Sequence, residues 1–300
     1  MISGYYNQIK NELLNNEVYK RVKDYSKNRN ELSTYYNVGK LLIEAGKQYG
    51  EKIIGNYSEK LVVEVGKKYN KRTLFRMRQF YKLIEEQKVS TVSTQLSWSH
   101  YCELLSIKDI DEINYYIITT ERYNLSVREL RERIKNKEYQ RLDDNTKLKL
   151  INKKELYISD TIKNPIIIKN KLEIDKENVS EKMLQKIILE DIEGFMRELG
   201  DSFSFIGSEY KIKINNAYNY IDLLLFNIKY NCYVVVELKV TEVKKEHIGQ
   251  IEVYMNYIDK HVKNITNDRT IGIIVERRDN HYYIEYSSDK IIYTRDYELV

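Results

Sequence analysis

The chain has 300 residues, 42% of them hydrophobic and 32% charged, with a single proline; that is enough for two folded units and excludes a largely disordered protein. No apolar run approaches the roughly eighteen residues that span a bilayer, and the start MISGYYNQIKNELLNN lacks the apolar core of a signal peptide, so the expectation is a cytoplasmic protein with no membrane partner. Net charge is +5, but Lys plus Arg minus Asp plus Glu gives 28 − 20 = +8 for residues 1–150 and 22 − 25 = −3 for the rest: a basic first half suits a polyanion and an acidic second half suits metal ligands, although uneven surface charge accounts for both.

From the start to about Leu142 apolar residues recur at intervals of three and four, as in Leu32, Tyr35, Tyr36, Leu41, Leu42 and Ala45, which predicts a helical domain over residues 1–145. Its densest charge lies in residues 60–82, where Lys60, Lys67, Lys68, Lys71, Arg72, Arg76, Arg78 and Lys82 face one acid, Glu64. Ser58 can cap a helix running to about Lys68. After a break at Tyr69 and Asn70 a second helix runs from Lys71 to Glu85, an arrangement like the helix-turn-helix of a winged-helix-like module. On this second helix Leu74, Met77, Tyr81 and Ile84 form the expected core seam. Arg72, Arg76 and Gln79 lie opposite it, and with Lys71 and Arg78 they are the candidate nucleic-acid contacts, suited to the phosphates and base edges of DNA. A solvated basic face, or a surface for acidic proteins, accounts for the same residues.

Trp98 in LSWSHY stands among Leu96, Tyr101, Leu104 and Leu105 as a core anchor. Without a Gly-x-Ser-x-Gly elbow, the adjacent Ser97, Ser99 and His100 do not make a reactive triad. Cys102 and Cys232 are far apart and the four histidines are scattered, which argues against a zinc site. The 28 tyrosines offer base-stacking surfaces, but an AT-rich gene explains their number as readily.

Residues 146–179 are polar and charge-rich, contain Pro165, and are expected to be a linker whose segment Ile166 to Ile168 docks on either neighbour. The second domain, residues 180–300, begins with helical spacing from Glu181 to Leu199 and a stop at Gly200. The period then changes to two. Phe203 to Ile214, Tyr218 to Phe226 and Tyr233 to Val240 are strands separated by turns at Asn215, Asn216 and Asn231, an antiparallel meander. Lys244 to Ile258 is helical, Thr270 to Glu276 a buried strand, and Tyr282 to Tyr286 and Ile291 to Tyr293 are edge strands.

Within the meander, Asp222 and Glu237 are symmetric about a point between Lys229 and Tyr230, so a turn there sets the two carboxylates directly opposite each other. Directly paired residues share a face with Cβ atoms about 4.5–5.5 Å apart, close enough to share one cation. Lys239 lies two residues on, on the same face, while Val236, Leu238, Ile221 and Leu223 point to the other, apolar face. Two carboxylates at the end of apolar strands call for a compensating charge, and magnesium or manganese with a substrate phosphate supplies it. A surface salt bridge at the end of a strand is the simpler alternative, since Glu-x-Lys is common in so charged a chain.

The segment YNYIDLLLFNIKYNCYVVVELKV resembles the PD-(D/E)XK nuclease core, whose α-β-β-β-α-β order is the one read here. The stretches YYNVGKLLIEAGKQYGEKI, RMRQFYKL, TQLSWSHYCELL, NLSVRELRERI, ELGDSFSFIGSEY and GQIEVYMNYID extend the likeness to the YhcG-like nucleases of bacteria, a helical domain fused to such a core. The resemblance implies a metal-dependent endonuclease acting on nucleic acid, most readily DNA, with Asp222 and Glu237 as metal ligands, Lys239 as the catalytic lysine, and Gln250 and Tyr254 as supporting site residues. Where relatives carry a glutamate in the first helix of the core, this chain aligns Gln185, a poorer magnesium ligand; Glu181 or Glu190 could stand near instead. An inactive nuclease fold that binds nucleic acid or protein is the alternative function. A homo-oligomer is compatible with cutting both strands of a duplex.

Overall fold

The computed structural model describes residues 3–21, 27–50, 52–86, 95–277 and 291–300, and these fall into two units, Met1–Tyr139 and Gln140–Val300. The helical period of the first half forms α1 (Ser3–Arg21), α2 (Lys27–Tyr49), α3 (Ile53–Glu64), α4 (Lys71–Glu86), α5 (Trp98–Leu104), α6 (Ile110–Tyr123) and α7 (Val127–Lys135). No strand that would make a wing is present among the described residues of this unit. Ile9 and Leu13 of α1, Val38 and Leu42 of α2, Ile54 and Leu61 of α3, and Leu74 and Met77 of α4 share one core. The α2 and α4 backbones cross at Gly39, where a Cβ would stand 2.3 Å from the Met77 carbonyl oxygen.

Two details of the basic region differ from the sequence reading. Ser58 is buried inside α3 rather than capping a helix, because α3 already starts at Ile53 and turns Ile53, Ile54, Tyr57 and Leu61 inward. The seam of α4 is Leu74, Met77, Phe80 and Leu83, with Tyr81 and Ile84 only half-buried. Phe80 is drawn in by Tyr101 and Trp98, whose ring centroids lie 4.9 and 5.6 Å away.

The second unit holds α8 (Asp144–Ile151), α9 (Ile158–Thr161), β1 (Ile166–Ile168), α10 (Glu181–Glu190), α11 (Ile192–Leu199), β2 (Phe203–Ile214), β3 (Ala217–Asn227), β4 (Cys232–Leu238), α12 (Lys245–His261), β5 (Ile271–Arg277) and β6 (Ile292–Leu299). Its six strands form one mixed sheet in the order β1-β6-β5-β4-β3-β2. The meander β2-β3-β4 is antiparallel, as expected, and β4, β5, β6 and β1 run parallel to one another. Leu184, Ile187, Ile188, Phe195 and Leu199 of α10 and α11 pack with Leu223, Leu225, Val234, Val236 and Leu238 in one cluster. Ile251, Tyr254, Met255 and Ile258 of α12 pack with Leu224, Val235 and Ile274 in another. Helices therefore cover both faces, which is why β4 and β5 read as continuous apolar runs rather than alternating ones.

Residues 146–179 are not a linker. Ile166–Ile168 pairs in register with Tyr297–Leu299, Lys149 and Asp160 form an ion pair at 2.7 Å, and Arg141 donates to the Pro165 carbonyl and pairs with Glu198. Three consecutive isoleucines gain far more as a buried strand than in water. One consequence is that β6 lies between β1 and β5 instead of at the edge. The expected strand Tyr282 to Tyr286 lies outside the described residues. The expected single helix Glu181 to Leu199 breaks at Asp191, whose backbone leaves the helical region (φ −138°, ψ 50°) and whose carboxylate sits so close to Gly194 that a Cβ there would meet it at 2.4 Å.

Candidate active site

The turn between β3 and β4 places Leu223 opposite Val236 and Asn227 opposite Cys232; Asp222 and Glu237 are the next residues on the two strands, immediately past the last of these pairs. Asn231 supplies the left-handed residue of the turn (φ 46°). Along β3 the alternation is interrupted beside Asp222: Leu223 joins the cluster under α10 and α11, whereas Ile221, expected on the same face, joins the one under α12. The interruption coincides with Glu209 on β2, a non-glycine residue at φ 46° flanked by the pairs Ser208↔Leu223 and Tyr210↔Ile221. Irregularities of this kind re-aim side chains within a strand ladder.

Asp222 is held at two points. Its Oδ2 accepts a hydrogen bond from the Leu238 amide at 2.8 Å, and its main-chain carbonyl accepts one from the Gln185 side-chain amide at 2.8 Å. Glu237 is 2% exposed; its Oε2 lies 3.5 Å from the Lys239 ammonium, and its Oε1 is buried with no hydrogen-bond partner among the described residues. Glu181, at the start of α10, lies 3.5 Å from the same ammonium on its Oε2 side. Gln250 is exposed on α12 and donates to the Tyr254 hydroxyl at 2.8 Å, within a single helical turn.

The electrostatics follow from burial and crowding. Burial, then the Asp222 charge, pushes the Glu237 carboxyl up to about 8. Burial also raises Asp222, with Glu181 and Glu209 adding to the shift and the Leu238 amide and Lys239 opposing it. For Lys239, burial favours the neutral amine, but Glu237, Glu181 and Asp222 outweigh it and hold the ammonium above its ordinary value. The Tyr254 phenol is raised mainly by burial, with Glu237 and Asp222 contributing.

This donor set fits a hard divalent cation: two carboxylates, one with a buried oxygen that no group among the described residues satisfies. Among the described residues no three His, Cys, Asp or Glu side chains form a metal-holding group, and magnesium commonly completes a two-carboxylate site with water and phosphate oxygens.

Two neighbours were missed by the sequence reading. Glu209 was legible, because 209 and 222 are symmetric about the Asn215–Asn216 turn just as 222 and 237 are about the next one. His247, whose Nδ1 accepts from the Lys244 amide at 3.1 Å at the start of α12, gave no such signal. The candidate contacts of the first unit lie on α4: Lys71, Arg72 and Gln79 are exposed, and Arg76 and Arg78 half-buried. Arg78 lies over the Phe75 ring at 4.8 Å, and Lys68, from the same charge cluster, pairs with Glu17.

Among the described residues no helix is long and apolar enough to cross a membrane. Residues 159–299 match the family model described as YhcG PDDEXK nuclease domain, and residues 14–141 match that of the DUF1016 N-terminal domain. The chain is 26% identical to Putative nuclease YhcG of Escherichia coli (strain K12), over 81% of this chain and 76% of that one. A solved repair endonuclease from Pyrococcus abyssi is similar over 41% of this chain, with 18% identity and a TM-score of 0.30; the match spans about half of that chain, 49%.

Proposed function

We propose, for a chain that belongs to the YhcG family of nucleases, that Asp222 and Glu237 hold magnesium or manganese and that Lys239 acts beside them in hydrolysing phosphodiester bonds of DNA. The observation that carries this reading is the buried Glu237 Oε1, without a hydrogen-bond partner among the described residues, in a carboxyl that feels the charge of Asp222 on the neighbouring strand. A divalent cation at this place polarises the scissile phosphate and acidifies a bound water.

The protein's own groups divide the remaining work. The Leu238 amide fixes one oxygen of Asp222 and leaves the other available as a ligand. Lys239 stays protonated between Glu237 and Glu181, so its ammonium can donate to the attacking water or stabilise charge developing on the phosphate. Tyr254, neutral and steadied by Gln250, can donate to a phosphate oxygen or a water. Gln185 serves as a positioning residue through the Asp222 carbonyl rather than as a ligand. Lys71, Arg72, Arg76, Arg78 and Gln79 of α4 are the surface that would grip the duplex.

The experiment is cleavage of plasmid and oligonucleotide DNA and of RNA, with magnesium, with manganese and with EDTA, by wild type, Asp222→Asn and Glu237→Gln. The expected result is metal-dependent cleavage of DNA that falls by about a thousandfold or more in either variant, as loss of several kcal/mol of transition-state stabilisation requires. Variants that cleave at the wild-type rate overturn the assignment. A wild type that binds oligonucleotides but cleaves none with either metal identifies a binding module built on the nuclease fold.

A further inference from the structure

The hairpin of β2 and β3 projects beyond the rest of the sheet, and its two faces differ. One face carries Tyr210, Ile212 and Ile221, which pack in the cluster under α12. The other carries two consecutive cross-strand pairs, Lys213↔Tyr218 and Lys211↔Tyr220. All four residues are exposed, with Tyr218 at 57% and Tyr220 at 52%. A tyrosine normally buries its ring, so two large aromatic faces left side by side in water mark a contact surface. The Lys211 ammonium lies 3.8 Å from the Tyr218 ring centroid, which steadies that ring while more than half of the residue stays open.

This row runs along β3 in the direction of Asp222. Tyr218, Tyr220 and Asp222 are alternate residues of β3, about 7 Å apart at the strand rise of about 3.4 Å per residue. A surface of alternating cation and aromatic ring on the strand that carries Asp222 has the chemistry for a chain of alternating phosphate and base. Bases inside a duplex present only their edges, so flat rings spaced along a strand can be used only by unpaired bases.

We propose that the exposed face of the β2–β3 hairpin binds single-stranded nucleic acid, with bases stacked on Tyr218 and Tyr220 and phosphates on Lys211 and Lys213, and leads the strand toward Asp222. The binding surface stands on its own geometry; that it delivers a strand for cleavage rests on the nuclease reading above.

The test is fluorescence anisotropy in EDTA with a fluorescein-labelled single-stranded 20-mer of DNA, the same sequence as RNA, and the matching DNA duplex. Wild type, Tyr218→Ala/Tyr220→Ala, Tyr218→Phe/Tyr220→Phe, Lys211→Gln/Lys213→Gln and Asp222→Asn are compared. The alanine pair should weaken single-strand binding by about tenfold per ring, while the phenylalanine pair and Asp222→Asn bind like wild type. Losing two phosphate contacts should reduce the slope of log affinity against log salt by about 1.4. Because all four side chains are exposed, thermal melting of these variants should stay at the wild-type temperature. A wild type with no affinity for single strands, an alanine pair that binds them fully, or a loss equally large for the duplex each overturns the proposal. Selective loss in a protein that never cleaves leaves the surface standing and removes the nuclease reading; normal cleavage with undiminished binding by the alanine pair does the reverse.

Discussion

Replacing Glu237 by glutamine should change how the metal-free protein responds to pH, because this carboxyl has its proton affinity set by the fold. In the folded protein it is pushed up to about 8 from an ordinary 4.5. Below 4.5 both folded and unfolded chains carry the proton and the stabilising contribution is complete. Between 4.5 and 8 the unfolded chain has released the proton and the folded one retains it, so stability falls as pH rises. Above 8 the contribution is gone. Each pH unit in this window corresponds to roughly 1.4 kcal/mol for one group, an upper bound near 5 kcal/mol that Glu237 shares with Asp222, whose carboxyl is raised too, mainly by burial. Urea unfolding in EDTA between pH 5 and 8.5 measures it: the stability of wild type relative to Glu237→Gln should decline by at least about 2 kcal/mol across the range. If the carboxylate pair holds the metal as proposed, excess magnesium at pH 8 should recover the loss in wild type and leave the variant unmoved. Parallel curves for the two proteins, or equal stabilisation of both by magnesium, would refute the reasoning.

Gly39→Ala should destabilise the first unit by about 1–3 kcal/mol or more, seen as a lower melting temperature, because the added methyl would stand 2.3 Å from a backbone oxygen of α4 that cannot turn aside. Gly55→Ala, in α3 with nothing within 4 Å, is the control and should be neutral or gain up to about 1 kcal/mol from helix propensity. Arg72→Gln should lower duplex affinity and reduce its salt slope by about 0.9 if this exposed guanidinium meets a phosphate; an unchanged slope assigns α4 a solvated basic face. Gln185→Glu should cost about 1–3 kcal/mol in unfolding free energy because a carboxylate cannot donate to the Asp222 carbonyl, and a variant that instead binds magnesium more tightly at full stability would make this position a ligand.

The meander was legible because turn chemistry and period agree. Asn215 and Asn231 both adopt the left-handed backbone that a tight hairpin requires, and β2 has the predicted limits, Phe203–Ile214. Ile166–Ile168 was not legible as a strand, since a run of three residues has no period and its partner, Tyr297–Leu299, lies about 130 residues away. The helix break at Asp191 was equally hidden: Leu184, Ile188 and Phe195 keep an apolar stripe across it, and the cause is the local placement of the Asp191 side chain against Gly194. In α4 the stripe could be read through Phe80 or through Tyr81, and only the neighbours Trp98 and Tyr101, distant in sequence, decide between them.

At the site, register arithmetic located the carboxylate pair but could not supply the orientation of its members. A strict alternation of faces would put Ile221 with Leu223, and the two are instead divided between the two cores. The same interruption sets Asp222 where its Oδ2 reaches the Leu238 amide, one residue past its partner Glu237. This explains how α10 can lack a glutamate at position 185 and still serve the centre. Gln185 holds the backbone at the irregular residue, while Glu181, one turn earlier on the same helix, lies by Lys239 and, after Glu237, helps hold its ammonium above its ordinary value. On the proposed reading the negative charge that α10 brings acts on the lysine, and the cation site is left to the two carboxylates on the strands.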